Sequence, residues 1–219
     1  MSARRRVGVL ISGRGSNLQS LIRAAAAEDY PAEIVLVVSN VAGAAGLARA
    51  REAGIVAETV PHKDCASREA FDAALDAALR RAGVEIVCLA GFMRLLTPGF
   101  VEKWRDRMLN IHPSLLPAFP GLDTHARALA AGVRFAGCTV HFVRAAMDSG
   151  PIVAQAAVPV LPGDTPEALA ARVLEAEHRL YPLALKLAAS GRLTVAGERV
   201  EIAGHRGPAG ALLNPGDEA

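Results

Sequence analysis

A short, continuously apolar run at 7–11 and strand-like runs at 34–39, 56–60 and 85–90 alternate with segments of helical composition at 18–27, 44–53 and 67–82. This alternation leaves few architectures open. A strand that is apolar on both faces belongs in a parallel sheet, and parallel neighbours need long crossovers, nearly always helical and right-handed. The punctuation between the runs agrees. Ser16 and Gln19 stand three apart at the first helix start, as a capping box requires. Gly54 and Gly83 occupy helix C-terminal cap positions, Ser67 an N-cap, and Thr97-Pro98 an N-cap followed by proline at the first helical position. The expected fold class is α/β, a doubly wound, Rossmann-like and mostly parallel sheet.

Beyond a strand at 108–112 the character changes. Pro113, Pro117 and Pro120 make a rigid loop, and runs at 139–143 and 152–160 read as strands joined by Asp148-Ser149-Gly150-Pro151. This pair suits an antiparallel C-terminal addition to the sheet. Thr165-Pro166-Glu167 opens a long helix that Pro182 is expected to kink or break, and 192–202 fits a hairpin around Ala196-Gly197. The organisation expected is a polar tail at 1–6, a single domain at 7–203 and a mobile Gly/Pro/Ala-rich tail at 204–219.

Composition closes off other classes. A chain of 219 residues, 52% hydrophobic, buries a sizeable core without disulfides or metals. Lys+Arg 24 against Asp+Glu 22 gives a net charge of +2, too little for a uniform field directed at duplex nucleic acid or an anionic membrane. No apolar run approaches the ~20 residues of a membrane-spanning helix. The apolar run after Arg4-Arg5-Arg6 stops at Ser12-Gly13, short of a secretory signal. Cys65, Cys88 and Cys138 are odd in number and widely spaced, which fits reduced thiols and a cytoplasmic location.

Gly13-Arg14-Gly15-Ser16-Asn17 lies between the first strand and the first helix, where open α/β sheets bind phosphate. A dinucleotide fingerprint wants glycine at position 18, where Leu18 stands, and an acidic residue where the second strand ends in Ser39-Asn40. A P-loop wants Gly-Lys-Ser/Thr, which is missing. A monophosphate held by Gly15, Ser16 and Asn17 remains, beside the plainer reading of glycines that only permit a tight turn.

Asn110 and His112 stand two apart on a strand and so project to one face, and Pro113 holds His112 extended at the strand's C-terminal end. An amide donor beside a proton carrier suits acyl transfer: Asn110 stabilises an oxyanion, a contact worth about 2.7–4 kcal/mol, and His112 moves the proton. Asp148 is the candidate third member, expected to raise the histidine pKa. The plain readings are strand-end residues satisfying backbone groups and an Asx-turn at Asp148. Of the other histidines, His62, His125 and His205 read as loop or helix-terminus residues and His178 as a helix residue; His141 alone faces the same region. With no H-E-x-x-H and no close His/Asp/Glu cluster, no metal is expected.

Five stretches, Ile11-Ser-Gly-Arg-Gly-Ser-Asn-Leu-Gln19, Leu89-Ala-Gly-Phe-Met-Arg-Leu-Leu96, Asn110-Ile-His-Pro-Ser-Leu-Leu-Pro117, Thr139-Val-His-Phe-Val143 with Asp148-Ser-Gly-Pro151, and Glu177-His178 with Tyr181-Pro182, follow in order along 7–192. Together they resemble the phosphoribosylglycinamide formyltransferases, within the wider folate-dependent formyltransferase superfamily. The resemblance implies the formyltransferase fold and transfer of a formyl group from 10-formyltetrahydrofolate to the amine of phosphoribosylglycinamide, in purine biosynthesis. It implies Asn110, His112 and Asp148 as catalytic residues, Gly15, Ser16 and Asn17 on the ribonucleotide phosphate, and Glu177 near the glycinamide amine. Folate would lie along Met93, Arg94, Leu95, Leu96, Asn110, Arg144, Ala145, Ala146, Met147 and Asp148, with Arg68 reaching a carboxylate of its glutamate tail. Small molecules are then the only partners expected, with the chain a monomer or homodimer. Ser149 departs from the commonest family pattern, in which a second glycine follows the aspartate. A related formyltransferase or a formyltetrahydrofolate hydrolase is disfavoured because 219 residues leave room for neither additional module. A non-catalytic α/β binding module fits the same residues and predicts ligand binding without turnover.

Overall fold

The strand β1 (Arg5–Ile11) occupies the middle of the sheet because both of its faces are apolar: Val7, Val9 and Ile11 join one core, and Leu10 the other. The structure, a computed structural model, describes residues 3–205, 207 and 210–215. Around β1 the chain adds α1 (Ser16–Ala25), β2 (Ala32–Ser39), α2 (Ala45–Glu52), β3 (Val56–Thr59), α3 (Arg68–Arg81), β4 (Ile86–Leu89), α4 (Pro98–Lys103) and β5 (Met108–His112). There follow α5 (Thr124–Ala130), β6 (Phe135–Phe142), β7 (Ile152–Pro159), α6 (Pro166–Ala189), β8 (Leu193–Ala196) and β9 (Arg199–Ile202). The seven-stranded sheet has the order β3-β2-β1-β4-β5-β6-β7, with β8 and β9 forming a separate antiparallel hairpin. Strands β1 to β5 pair in parallel, and β6 and β7 are the antiparallel addition expected from the sequence.

The strand order reverses between β1 and β4, so the carboxyl ends of these strands open a crevice at the sheet's switch point. Leu18, Leu21, Leu47 and the buried face of α6 cover one side of the sheet; Phe71, Leu75 and Leu79 of α3 with Phe100 and Trp104 on the α4 side cover the other. The three cysteines are free thiols, and burial pushes Cys88 up to about 12.

Several local expectations change. The N-cap of α1 is Gly15, in the left-handed region at φ +73°, and no side chain caps the helix, so the Ser16–Gln19 box does not form. The loop needs that conformation and closeness: a Cβ on Gly15 would lie 2.8 Å from the Cα of Gly46 on α2. Pro182 does not end α6, which runs unbroken through it. Tyr30 Oη donates to the Pro182 carbonyl at 2.7 Å, and neighbouring Tyr181, Ala184 and Leu185 are fully buried, so tertiary packing outweighs the lost backbone bond. Helix α5 is an addition to the sequence reading. β1 begins at Arg5, inside the expected 1–6 tail, where Arg5 pairs with Glu85. Residues 1 and 2 lie outside the described residues, as do 206, 208, 209 and 216–219 of the expected mobile tail. Within that tail, Asn214 donates to the carbonyl of Val160 at 3.2 Å.

Tyr181 fastens α6 beneath the crevice: its fully buried hydroxyl stands 3.1 Å from the carbonyls of both Leu89 and Leu109, on β4 and β5. Tyr181→Phe removes the donor and strands those oxygens, a loss of roughly 1–3 kcal/mol. At about 2–4 °C per kcal/mol for a chain of this size, thermal denaturation should show a lowered Tm. An unchanged Tm would mean that α6 is held without this contact.

Candidate active site

Asn110 and His112 share one face of β5, and the antiparallel register with β6 sets Asn110 opposite His141 and His112 opposite Thr139. Hydrogen positions on this row follow from what each partner is able to accept. His141 Nδ1 lies 3.0 Å from the Phe142 carbonyl, which only accepts, so Nδ1 carries the hydrogen and Nε2 is left as an acceptor. The Asn110 amide nitrogen donates to that Nε2 at 3.2 Å. Burial pushes the His141 pKa down and keeps the ring neutral, as this arrangement needs. One amide hydrogen of Asn110 is thereby committed, and the other is left for an oxygen in the cavity. His141 is thus the orienting neighbour that the sequence placed in this region.

His112 is 6% exposed and is held from both sides. Its Nε2 stands 3.0 Å from the Phe119 carbonyl, and its Nδ1 faces Asp148 Oδ1 at 3.4 Å. The carbonyl fixes a hydrogen on Nε2, and the carboxylate is placed to pair with a second proton on Nδ1. Asp148 Oδ2 accepts from the Gly121 amide at 2.7 Å, so the same carboxylate ties the 119–122 loop to the turn between β6 and β7. Asp148 is left-handed at φ +48°, and Ser149 closes the turn by donating to the Ala146 carbonyl at 2.7 Å. Serine therefore fits where the commonest pattern has glycine. Thr139 accepts from Leu116 N at 3.0 Å and donates to the Ser114 carbonyl at 2.7 Å, which seats the loop leaving His112.

On the other side of the crevice, Asn17 in the first turn of α1 donates its amide to Glu177 of α6 at 2.6 Å. Glu177 is 6% exposed, and its burial raises its pKa against the opposing pull of the Asn17 hydrogen bond. Asn17 Oδ1 is buried with no hydrogen-bond partner among the described residues.

A cavity of about 690 Å³ joins these groups: Asn17 and Glu177 line it, with Asn110, His112 and Asp148 and the exposed side chains of Met93, Leu95 and Met147. A narrower cleft of about 110 Å³, walled by Arg94, Leu95, Leu96, Ala145, Ala146 and Met147, shares Asn110 and Asp148 with it. Gly15 and Ser16, the N-cap and first residue of α1, do not line this cavity. Arg68 is exposed and donates to the Leu95 carbonyl at 3.1 Å, beside that wall. Arg144 borders the narrower cleft, but its guanidinium is turned to Asp106 at 2.7 Å and Glu198 at 3.6 Å. The sequence reading passed over the site contribution of His125, at the start of α5. It lines the main cavity with Nε2 buried and unpartnered among the described residues, and burial, then the nearby His112, lowers its pKa. The signal available was Thr124-His125 directly after the proline-rich loop. Among the described residues no group of three His, Cys, Asp or Glu side chains is placed to hold a metal, and no helix is long and apolar enough to cross a membrane.

The family described as formyl transferase matches residues 5–185. The chain belongs to the formyl transferase family. It is 46% identical over 200 residues to the phosphoribosylglycinamide formyltransferase of Escherichia coli strain K12, covering 91% of this chain and 94% of that one. It is 56% identical over 192 residues to the trifunctional purine biosynthetic protein adenosine-3 of Drosophila pseudoobscura pseudoobscura, covering 87% of this chain but spanning only 14% of that longer relative. The crystal structure of glycinamide ribonucleotide transformylase 1 from Symbiobacterium toebii superposes with a TM-score of 0.90 at 51% identity, covering 92% of this chain and 95% of that one. The formyl transferase fold is thus the mostly parallel α/β sheet described above.

The raised pKa of Glu177 has a thermodynamic consequence in this formyl transferase. A carboxyl whose folded pKa lies above its unfolded value stabilises the fold below the unfolded value, and that contribution is lost as pH rises through the folded value. Above its folded pKa the ionised Glu177 therefore lowers stability relative to the protonated form. Glu177→Gln keeps an acceptor for Asn17 and supplies a donor for its orphan Oδ1. The expected outcome is a higher Tm at pH 7.5, with the gain over wild type shrinking as pH falls toward 4.5. A lower Tm at neutral pH would show that the charge itself is stabilising.

Proposed function

We propose that this chain transfers a formyl group from 10-formyltetrahydrofolate to the amine of 5'-phosphoribosylglycinamide, giving formylglycinamide ribonucleotide and tetrahydrofolate in de novo purine (IMP) biosynthesis. The observation that carries the reading is the convergence of Asn110, His112 and Asp148 where the wide cavity, with Glu177 on its far wall, meets the narrow cleft. The ribonucleotide is assigned to the Asn17 and Glu177 side and the folate to the side walled by Met93–Leu96 and 144–148, with the reacting carbon between them at Asn110 and His112. The names and coverage of the E. coli and Symbiobacterium proteins support the same substrates.

In this reading Gly15, Ser16 and Asn17 take the ribonucleotide phosphate at the positive end of α1, and Glu177 receives the glycinamide amine. Folate lies along Met93, Arg94, Leu95 and Leu96 and along the 144–148 segment, with Arg68 facing its glutamate tail. As the amine attacks the formyl carbon, the carbonyl oxygen gains charge, and the free amide hydrogen of Asn110 stabilises it. His112, paired with Asp148, supplies a proton as charge develops. Collapse of the tetrahedral adduct breaks the bond to the folate nitrogen, which leaves carrying the His112 proton, and the former amine passes its own proton to the now neutral His112, so no net proton is consumed. Asn110 serves as the oxyanion donor because His141 holds its amide; His112 serves as the proton carrier because Asp148 shares its proton. No metal has a part, the partners are small molecules, and the chain works in the cytoplasm as a monomer or homodimer.

A spectrophotometric assay of tetrahydrofolate release, with and without phosphoribosylglycinamide, tests the substrates directly. Release only when the ribonucleotide is present is expected; release without it indicates hydrolysis, and no release in either case overturns the proposal. Asn110→Ala and His112→Ala should each lower kcat by roughly 10²–10³-fold while folate binding, followed by fluorescence titration, stays near wild type. Near wild-type kcat in either variant removes that residue from the mechanism.

A further inference from the structure

We infer that Arg144 is a positioning residue for Asp148, and that Asp106 and Glu198 of the β8–β9 hairpin complete the brace through which it acts. The inference rests on the reading of Asp148 as the proton-sharing partner of His112.

The antiparallel pairing creates the need for such a brace. β6 runs down alongside β5, so its exit lies level with the beginning of β5, where Val143 N donates to the Met108 carbonyl at 2.9 Å. His112 is at the opposite end of β5, four residues further on, about 13 Å at the usual strand rise. The turn that follows β6 therefore climbs back along the sheet to deliver Asp148. A free loop of this kind would carry a carboxylate whose position wanders over more than hydrogen-bonding tolerance. The left-handed backbone at Asp148 adds a conformation that persists only when its surroundings determine it.

The foot of the climb is fixed by Arg144. Its side chain is 11% exposed, although it is the first residue after Val143 in a surface turn. One terminal nitrogen meets Asp106 Oδ1 at 2.7 Å, the other donates to the Val143 carbonyl at 3.2 Å, and the buried Nε, which makes no hydrogen bond, lies 3.6 Å from Glu198 Oε1 as a charge contact only. Asp106 precedes β5, and Glu198 sits at the tip of the hairpin, so the guanidinium joins three separate parts of the chain. The returning limb of the turn rests on the same side chain: a Cβ at Gly150 would lie 2.8 Å from Arg144 Cγ and 2.2 Å from the Phe142 carbonyl. Glycine at 150 lets the two limbs close over the arginine stem. The tip is fixed separately by Asp148 on Gly121 and His112. Such pairs with exposed carboxylates add little to global stability, so their effect belongs to geometry. Misplacement of a reacting group by about 1 Å can cost about a hundredfold in rate.

The test is a double-mutant cycle on single-turnover formyl transfer, with Tm and ribonucleotide KM measured alongside. Arg144→Met should lower the rate by roughly tenfold or more with KM for the ribonucleotide nearly unchanged. In an Asp148→Asn background the same substitution should have no further effect, within about twofold. Glu198→Gln, at a position 66% exposed, should give a smaller loss that also vanishes in that background, and it carries the test if Arg144→Met fails to fold. Equal proportional losses in both backgrounds, or a lowered Tm with the rate unchanged, overturn the brace while leaving Asp148 in place. A wild-type rate for Asp148→Asn alone overturns the reading of Asp148, and the brace with it.

Discussion

The placement of Asn110, His112 and Asp148 depends on the hydrogen-bonded pairing of β5 with β6. In a wholly parallel sheet, the strand beside β5 would deliver its following loop at the same carboxyl end, and no return climb would be needed. Reversing β6 does two things. It sets His141 directly across from Asn110, close enough to hold the amide through a side-chain hydrogen bond. It also obliges the next turn to travel the length of β5 before Asp148 meets His112. One backbone ladder thus supplies the rigid half of the site and imposes the geometric problem that the other half has to solve.

The parallel half contributes a different constraint. The strand order reverses beside β1, so the N-terminus of α1 points into the crevice and α6 passes beneath it. Asn17 and Glu177, 160 residues apart in sequence, meet there and are both buried. Desolvation works against the carboxylate charge, and a single amide donor does not offset it. Tyr181, one helical turn beyond Glu177 on α6, shares one hydroxyl hydrogen between carbonyls of β4 and β5 and so keeps the carboxylate at a fixed height above the sheet. The unfavourable charge at 177 is tolerable because the helix bearing it is fixed by contacts that do not involve it. The Asn17 oxygen beside it, buried and without a hydrogen-bond partner among the described residues, marks where a polar ligand would restore what burial has taken away.

How much of this was legible in the sequence depends on whether the signal was local. The buried strands were, because both faces of β1 and β4 are apolar, and so were the caps at Ser67, Thr97 and Thr165, each of which accepts from an amide three residues on. Asn110 and His112 could be paired because a strand's period is two, and Asp148 because a turn had to bring something back. The Ser16–Gln19 box misled: the residue before it is a glycine pressed against Gly46, a contact made by α2 and invisible in the local pattern. Pro182 misled in the same way, since its neighbours' burial is tertiary. Arg144 read as a ligand residue from its place in a motif, whereas its direction is decided by Asp106 and Glu198, 38 and 54 positions away. Short α5 lacks enough turns for a period to show.

The division between rigid and deliverable parts bears on how the chemistry is ordered. Asn110 and His112 are fixed before any ligand arrives, because strand pairing and the loop seated by Thr139 leave them little freedom. Asp148 is brought from a turn, and its distance to His112, 3.4 Å, is longer than a charge-assisted hydrogen bond prefers. The same carboxylate is already engaged by Gly121, from a loop that walls the main cavity. A ligand pressing on that loop would therefore act on the acid partner of His112 without touching the oxyanion donor. In the proposed reading, proton supply and oxyanion stabilisation therefore rest on different parts of the fold: the first on a carboxylate delivered by a turn and tied to the cavity loop, the second on an amide held by the sheet.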